Sequence, residues 1–77
     1  MTESEKRALL WLAEHNGDGA FAGRGRTLVA AGEVAPFYRR TFNNLRDLGL
    51  AEMYGEKRIR LTELGYTTAK TVKLRRH

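Results

Sequence analysis

Residues 17–36 read GDGAFAGRGRTLVAAGEVAP, and how this glycine-crowded stretch is assigned governs how the flanking helices are joined. Gly17, Gly19, Gly23, Gly25 and Gly32 all fall within it, so most of it is expected to be loop. The spacing of the first three glycines is not GxGxxG, it follows a helix rather than a strand, and no GxxxxGK is present. Phosphate-cradling nucleotide enzymes are therefore excluded. Within the stretch, RTLVAAG is expected to form a short second helix over about residues 26–31, with Leu28, Val29 and Ala31 partly buried and Gly32 ending it. Ala20 and Phe21 are left to supply a short strand or a plug.

On the N-terminal side, Thr2 and Glu5 have the spacing of a capping box, in which the hydroxyl accepts an orphan backbone N–H and the carboxylate reaches back. Ala8, Leu9, Leu12 and Ala13 recur at helical spacing, Leu10 and Trp11 widen the stripe, and Asn16-Gly17 supplies a left-handed stop. A first helix over about residues 3–15 follows, with Trp11 as core or subunit contact. On the C-terminal side, Pro36 suits a first helical turn, where its missing N–H costs nothing. Tyr38, Phe42, Leu45 and then Leu48 or Gly49 share one side, predicting a helix over about 36–48 with that side buried and Gly49 as its cap.

Farther along, LAEMY and KRIRLT alternate in period two around Gly55-Glu56, predicting a hairpin over about 50–62 with a type II′ turn. Thr62 then caps a last helix over about 62–74, its inner side carrying Leu64, Thr68, Ala69 and Val72, before the basic end KLRRH. Its threonines make it weak without tertiary support.

At 77 residues the chain is read as one domain over 1–77, with 42% hydrophobic and 30% charged residues typical of a packed protein. No apolar run approaches the roughly 20 residues a membrane span needs. MTESEKR carries no secretory pattern, so a cytoplasmic location and no membrane association are expected. The absence of cysteine removes disulfides, thiolate metal sites and thiol nucleophiles together. Fourteen Lys and Arg against nine Asp and Glu give +5. Most of that excess follows the slightly acidic first nineteen residues, including Arg75 and Arg76 near the end. Such asymmetry points to an anionic partner.

The order helix, short helix, helix, hairpin, helix resembles the winged helix-turn-helix domain of bacterial and phage regulators. NNLRDLGLAEMY leading into IRLTELG carries the likeness: Leu-Gly-Leu closes the recognition helix, and Leu61, Thr62, Glu63 and Gly65 lead from wing strand to helix. MarR- and PadR-type regulators show both features. The resemblance covers residues 27–66 and extends to the rest by topology. It implies a mainly α fold with a small β-hairpin (α+β), a three-helix core plus wing and C-terminal helix. The implied function is that of a small DNA-binding regulator of transcription, with the helix over 36–48 in the major groove. Phe37 and Tyr38 depart from the small polar residues usual early in that helix. If Phe37 faces outward, it meets thymine methyls or a protein partner.

The residues support a reading face on their own terms. Arg39, Arg40, Asn43 and Asn44 lie away from the apolar side; arginine pairs bidentately with guanine and asparagine with adenine. Arg40, Asn43 and Asn44 are accordingly assigned to base reading and Arg39 to either bases or backbone, while Lys57, Arg58 and Arg60 on the wing, with Arg24 and Arg26, are assigned to phosphates. Double-stranded DNA is the expected partner, with a homodimer through the first and last helices or a monomer fitting equally. The rival reading is a protein-binding adaptor or a phage-encoded inhibitor acting by protein contact. No enzyme, cofactor or metal site is expected. His15 and His77 have no catalytic companion, and His15 suits a helix C-terminus.

Overall fold

Thr2 caps the first helix as its spacing demands: its Oγ1 accepts from Glu5 N at 3.2 Å, and Thr2 N donates to Glu5 Oε1 at 3.0 Å. The computed structural model describes residues 1–74, so Arg75, Arg76 and His77 lie outside it. From the cap runs α1 (Glu3–Glu14), stopped at Asn16 and Gly17, both at positive φ (72° and 68°). The chain continues through β1 (Asp18–Ala22), β2 (Thr27–Ala30), β3 (Glu33–Val34), α2 (Arg39–Asp47), β4 (Ala51–Tyr54), β5 (Arg58–Leu61) and α3 (Glu63–Leu74).

The glycine-rich stretch is thus sheet, and the expected fold class is overturned. Among the described residues five antiparallel strands form a single sheet in the order β3-β2-β1-β5-β4, packed with three helices, in place of a three-helix winged-helix core with a lone hairpin. The short helix expected over 26–31 is the strand β2. Its physical reason lies in the turns. Gly23 and Gly25 (φ 61° and 77°) reverse the chain before β2, and Ala31 and Gly32 (φ 52° and 77°) reverse it after. That leaves four residues, too few to offset helix nucleation but enough to pair with β1. Burial along β2 alternates: Leu28 and Ala30 point inward, and Thr27 and Val29 outward.

β1 is the central strand. It pairs with β2 through Ala20↔Val29 and Phe21↔Leu28, and with β5 through Asp18↔Arg60 and Gly19↔Ile59. The expected wing hairpin is present, but Tyr54 stands opposite Arg58 and three residues, 55–57, form the loop in place of the expected two-residue type II′ turn. Pairing with β1 nevertheless takes β5 into the sheet interior.

The inner sheet face presents Phe21, Leu28, Ala30, Ala51, Ile59 and Leu61 to the helices. Ala8, Leu9 and Leu12 of α1 meet it with Phe42 and Leu45 of α2 and Ala69 of α3. Two side chains expected on the buried side of α2 are outside the core: Tyr38 is 83% exposed and Leu48 is 49% exposed. The helix begins at Arg39, so Tyr38 sits ahead of it in an extended conformation, and Phe37 takes the core-edge place. Phe37 lies edge-on to Phe42 at 6.1 Å between centroids.

The passage from β5 into α3 shows what LTELG does. Thr62 Oγ1 accepts from Gly65 N at 3.0 Å and donates to the Gly49 carbonyl at 2.7 Å, while Thr62 N donates to the Leu50 carbonyl at 3.1 Å. Gly65 is buried directly against that carbonyl, where any Cβ would collide with backbone.

Candidate nucleic-acid interface

α2 starts without a side-chain cap: Tyr38 occupies the N-cap with no hydrogen bond from its side chain, and the first turn contains no acid. Arg39 and Arg40 stand there instead, at the end of the helix where the dipole favours anions. Their fates differ. The Arg39 guanidinium donates to the Gly25 carbonyl at 3.0 Å and lies over the Phe21 ring at 4.6 Å, fastening α2 to the β1–β2 turn. Arg40 is exposed and has no acidic partner among the described residues.

The expected base-reading set is therefore divided. Asn44 donates to Glu5 Oε2 at 3.2 Å and extends the α1 capping box into a tie between helices. Asn43 is half-buried, with its Oδ1 out of solvent and without a hydrogen-bond partner among the described residues. Arg46, farther along, pairs with its neighbour Asp47 at 3.2 Å. Of the four, only Arg40 is both exposed and without a partner among the described residues.

The wing arginines are also engaged. Arg58 meets Asp18 Oδ1 at 3.2 Å and Arg60 meets Glu52 Oε2 at 2.9 Å, both on the outer sheet face. Tyr54 Oη donates to Asp18 Oδ2, and both guanidiniums approach the Tyr54 ring, at 5.4 and 4.7 Å. Partial burial pushes the Asp18 carboxyl up, but the hydrogen bonds from Tyr54 and Arg58, with the charges of Arg58 and Arg60, outweigh it and hold it below its ordinary value. The same bond to Asp18, helped by desolvation, raises the Tyr54 phenol, and Asp18 first and Tyr54 next raise Arg58. This network is a self-satisfied face of the sheet. Nothing in local periodicity revealed it, because Asp18 reaches Arg58 only through the β1–β5 pairing.

The remaining basic candidates converge at one end. β1 runs out beside the start of β2 (Ala22↔Thr27), and Phe21 N donates to the Lys57 carbonyl at 2.7 Å. Turns 23–26 and 55–57 therefore hang from the same end of the sheet, and Arg39 brings the start of α2 there as well. Arg24, Arg26, Arg40 and Lys57 are exposed at this end, with no acidic partner among the described residues. Glu56 is the one acid in the two turns. Beside them, an open groove of about 430 Å³ runs between Arg26 and Thr27 at the start of β2 and the segment 34–38, which carries Val34, Pro36, Phe37 and Tyr38.

Elsewhere the expected elements serve structure. His15 Nδ1 donates to the Trp11 carbonyl at 2.6 Å, Nε2 lies 3.0 Å from Glu33 Oε2, and the ring stacks on Trp11 at 3.9 Å. Inner-face residues of α1 and α3, Leu9 and Leu12 with Ala69, share the core of the one chain. Among the described residues no group of three His, Cys, Asp or Glu could hold a metal ion, and no helix is long and apolar enough to cross a membrane. Compared with known proteins, the chain matches no family model, no curated protein and no solved structure.

Proposed function

We propose that the protein binds duplex DNA through its basic end, in the manner of a small DNA-binding regulator. The observation that carries this reading is the convergence of Arg24, Arg26, Arg40 and Lys57 from three separate segments, all exposed and all without an acidic partner among the described residues. Arg7, Arg46, Arg58 and Arg60 each face an acid and so bring little net positive field. Contacts from Arg24, Arg26 and Lys57 go to phosphates, which give affinity and register. Base discrimination, and with it control of transcription, falls to Arg40, the expected reader that is exposed and not bonded to other parts of the fold; the Asn43 Oδ1, out of solvent, does not face a base edge.

Fluorescence anisotropy of a short labelled duplex against salt concentration tests this. Arg24, Arg26 and Lys57 neutralising three phosphates predict a slope of about −2.7 in log K against log salt, so binding weakens about 40-fold from about 50 to about 200 mM. Arg24→Ala or Lys57→Ala each reduces the slope by about 0.9, Arg40→Ala lowers discrimination between sequences, and Arg58→Ala leaves the slope in place. Absence of binding at the lowest salt, or equal loss from paired and unpaired arginines, refutes the reading.

A further inference from the structure

The groove beside the basic end has a chemistry that duplex phosphates do not use. Tyr38 stands 83% exposed at its rim, held out of the core because Phe37 occupies the place against Phe42. Val34, 64% exposed, and Pro36 make the rest apolar, and Arg26 supplies a cation at one end with Arg24 in the same turn. A volume of about 430 Å³ lies within the range of small-ligand clefts.

An open aromatic face, apolar walls and a flanking cation are complementary to a planar group carrying an anion. An unstacked nucleobase with its phosphate meets all three requirements. Bases inside a duplex remain stacked on one another and cannot enter. A neutral peptide would fill the walls but leave Arg26 and Arg24 unmatched. We infer that this groove takes one unpaired base of a nucleic-acid strand, stacked on Tyr38, with the adjoining phosphates held by Arg26 and Arg24. The ligand is then a duplex with a single-stranded extension, a frayed end or a junction. This rests on the proposed nucleic-acid binding and specifies which form is preferred.

The test compares the full chain on a blunt duplex and on the same duplex with a short thymidine overhang, by anisotropy at low salt. Alanine substitution of a stacking aromatic weakens single-strand binding by about 5- to 150-fold, so the overhang is expected to tighten binding by a factor in that range. Tyr38→Ala abolishes the difference while leaving blunt-duplex affinity within about twofold, and Tyr38→Phe, which keeps the ring, preserves it. Arg26→Ala lowers affinity for both probes, and more for the overhang. Circular dichroism identical to wild type verifies that the exposed position tolerates the changes.

Equal affinity for the two probes, or an overhang preference that survives Tyr38→Ala, overturns the inference and leaves duplex binding standing. Binding of the overhang alone, dependent on Tyr38, upholds the inference and removes the duplex reading. No binding of either probe removes both. A neutral proline-rich peptide that binds in a Tyr38-dependent manner, with no overhang preference, assigns the groove to a protein ligand instead.

Discussion

Gly65→Ala is the substitution whose sign is least obvious from local propensity, and the structure fixes it. Gly65 lies in the first turn of α3 at an ordinary helical φ, so replacing it with alanine should gain up to about 1 kcal/mol of helix propensity. Against that, the new Cβ would overlap the Leu50 carbonyl oxygen and stand 3.0 Å from its carbon and 3.3 Å from Leu61 Cβ. Two of these three atoms are backbone, held in place because the same carbonyl accepts from Thr62 N at 3.1 Å. Overpacking typically costs about 1–3 kcal/mol, and disturbing that hydrogen bond about 0.5–1.5 kcal/mol more. The net expectation is a loss of about 1–3 kcal/mol, seen as a fall in Tm on the order of 10 °C for a domain of this size. Urea unfolding followed by circular dichroism should show a lower midpoint with an unchanged slope. Gly23→Ala provides the contrast: nothing lies within 4 Å of its Cβ, so only its left-handed backbone (φ 61°) opposes alanine, at about 1–2 kcal/mol. A Gly65→Ala protein as stable as wild type, or more so, would refute the close approach of α3 to the Leu50 carbonyl.

Two further predictions concern residues that the sequence assigned to DNA and the fold employs internally. Arg39→Ala should cost about 1–2 kcal/mol of stability through the lost bond to Gly25 and the lost contact with Phe21, and Asn44→Ala about 1 kcal/mol through Glu5. For both variants thermal unfolding should change more than sequence discrimination on DNA; unchanged stability with altered discrimination would reverse that assignment. Asp18 is held below its ordinary value near 3.8, so its contribution is present at neutral pH and is lost as pH falls through the lowered folded-state value. Tyr54 is raised above its ordinary value of 10.0, so its contribution is present below that pH and is lost as pH rises through the higher folded-state value. Tyr54→Phe should therefore lower stability at neutral pH and flatten the stability profile on both flanks, the acid curves of variant and wild type converging; parallel curves would refute the linkage.

Local signals carried some of this architecture. The Thr2–Glu5 box, the Asn16-Gly17 stop, the β4–β5 hairpin and the Thr62 cap all depend on neighbours within a few residues, and each was legible. The 17–36 segment was not, because Ala20 and Val29 on the outer sheet face are as apolar as Leu28 and Ala30 on the inner one. With no polar alternation to mark the period, TLVAAG reads as well for a helix turn as for a strand. The internal engagement of two of the site candidates was hidden for a related reason. Asn44 and Arg39 look free on a helical wheel of α2 alone, and only the packing of α1 and the β1–β2 turn consumes them. Arg24 and Arg26 were recognised as basic loop residues, but their proximity to Lys57 follows from the pairing of β1 with β5.

That pairing also sets an order of events during synthesis. β1 ends at residue 22, yet one of its two neighbours begins at residue 58, so a nascent chain carries its central strand with one edge bare until most of the domain has left the ribosome. The β1–β2–β3 hairpins can form early from short loops, whereas joining Asp18 to Arg60 closes a long one, and closure of such non-local contacts is the slow step of sheet proteins. Until β5 docks, the sheet has an open edge beside half-covered Phe21 and Leu28, a surface to which another chain can add, so the step that joins β5 to β1 is the one at which misassembly competes with folding.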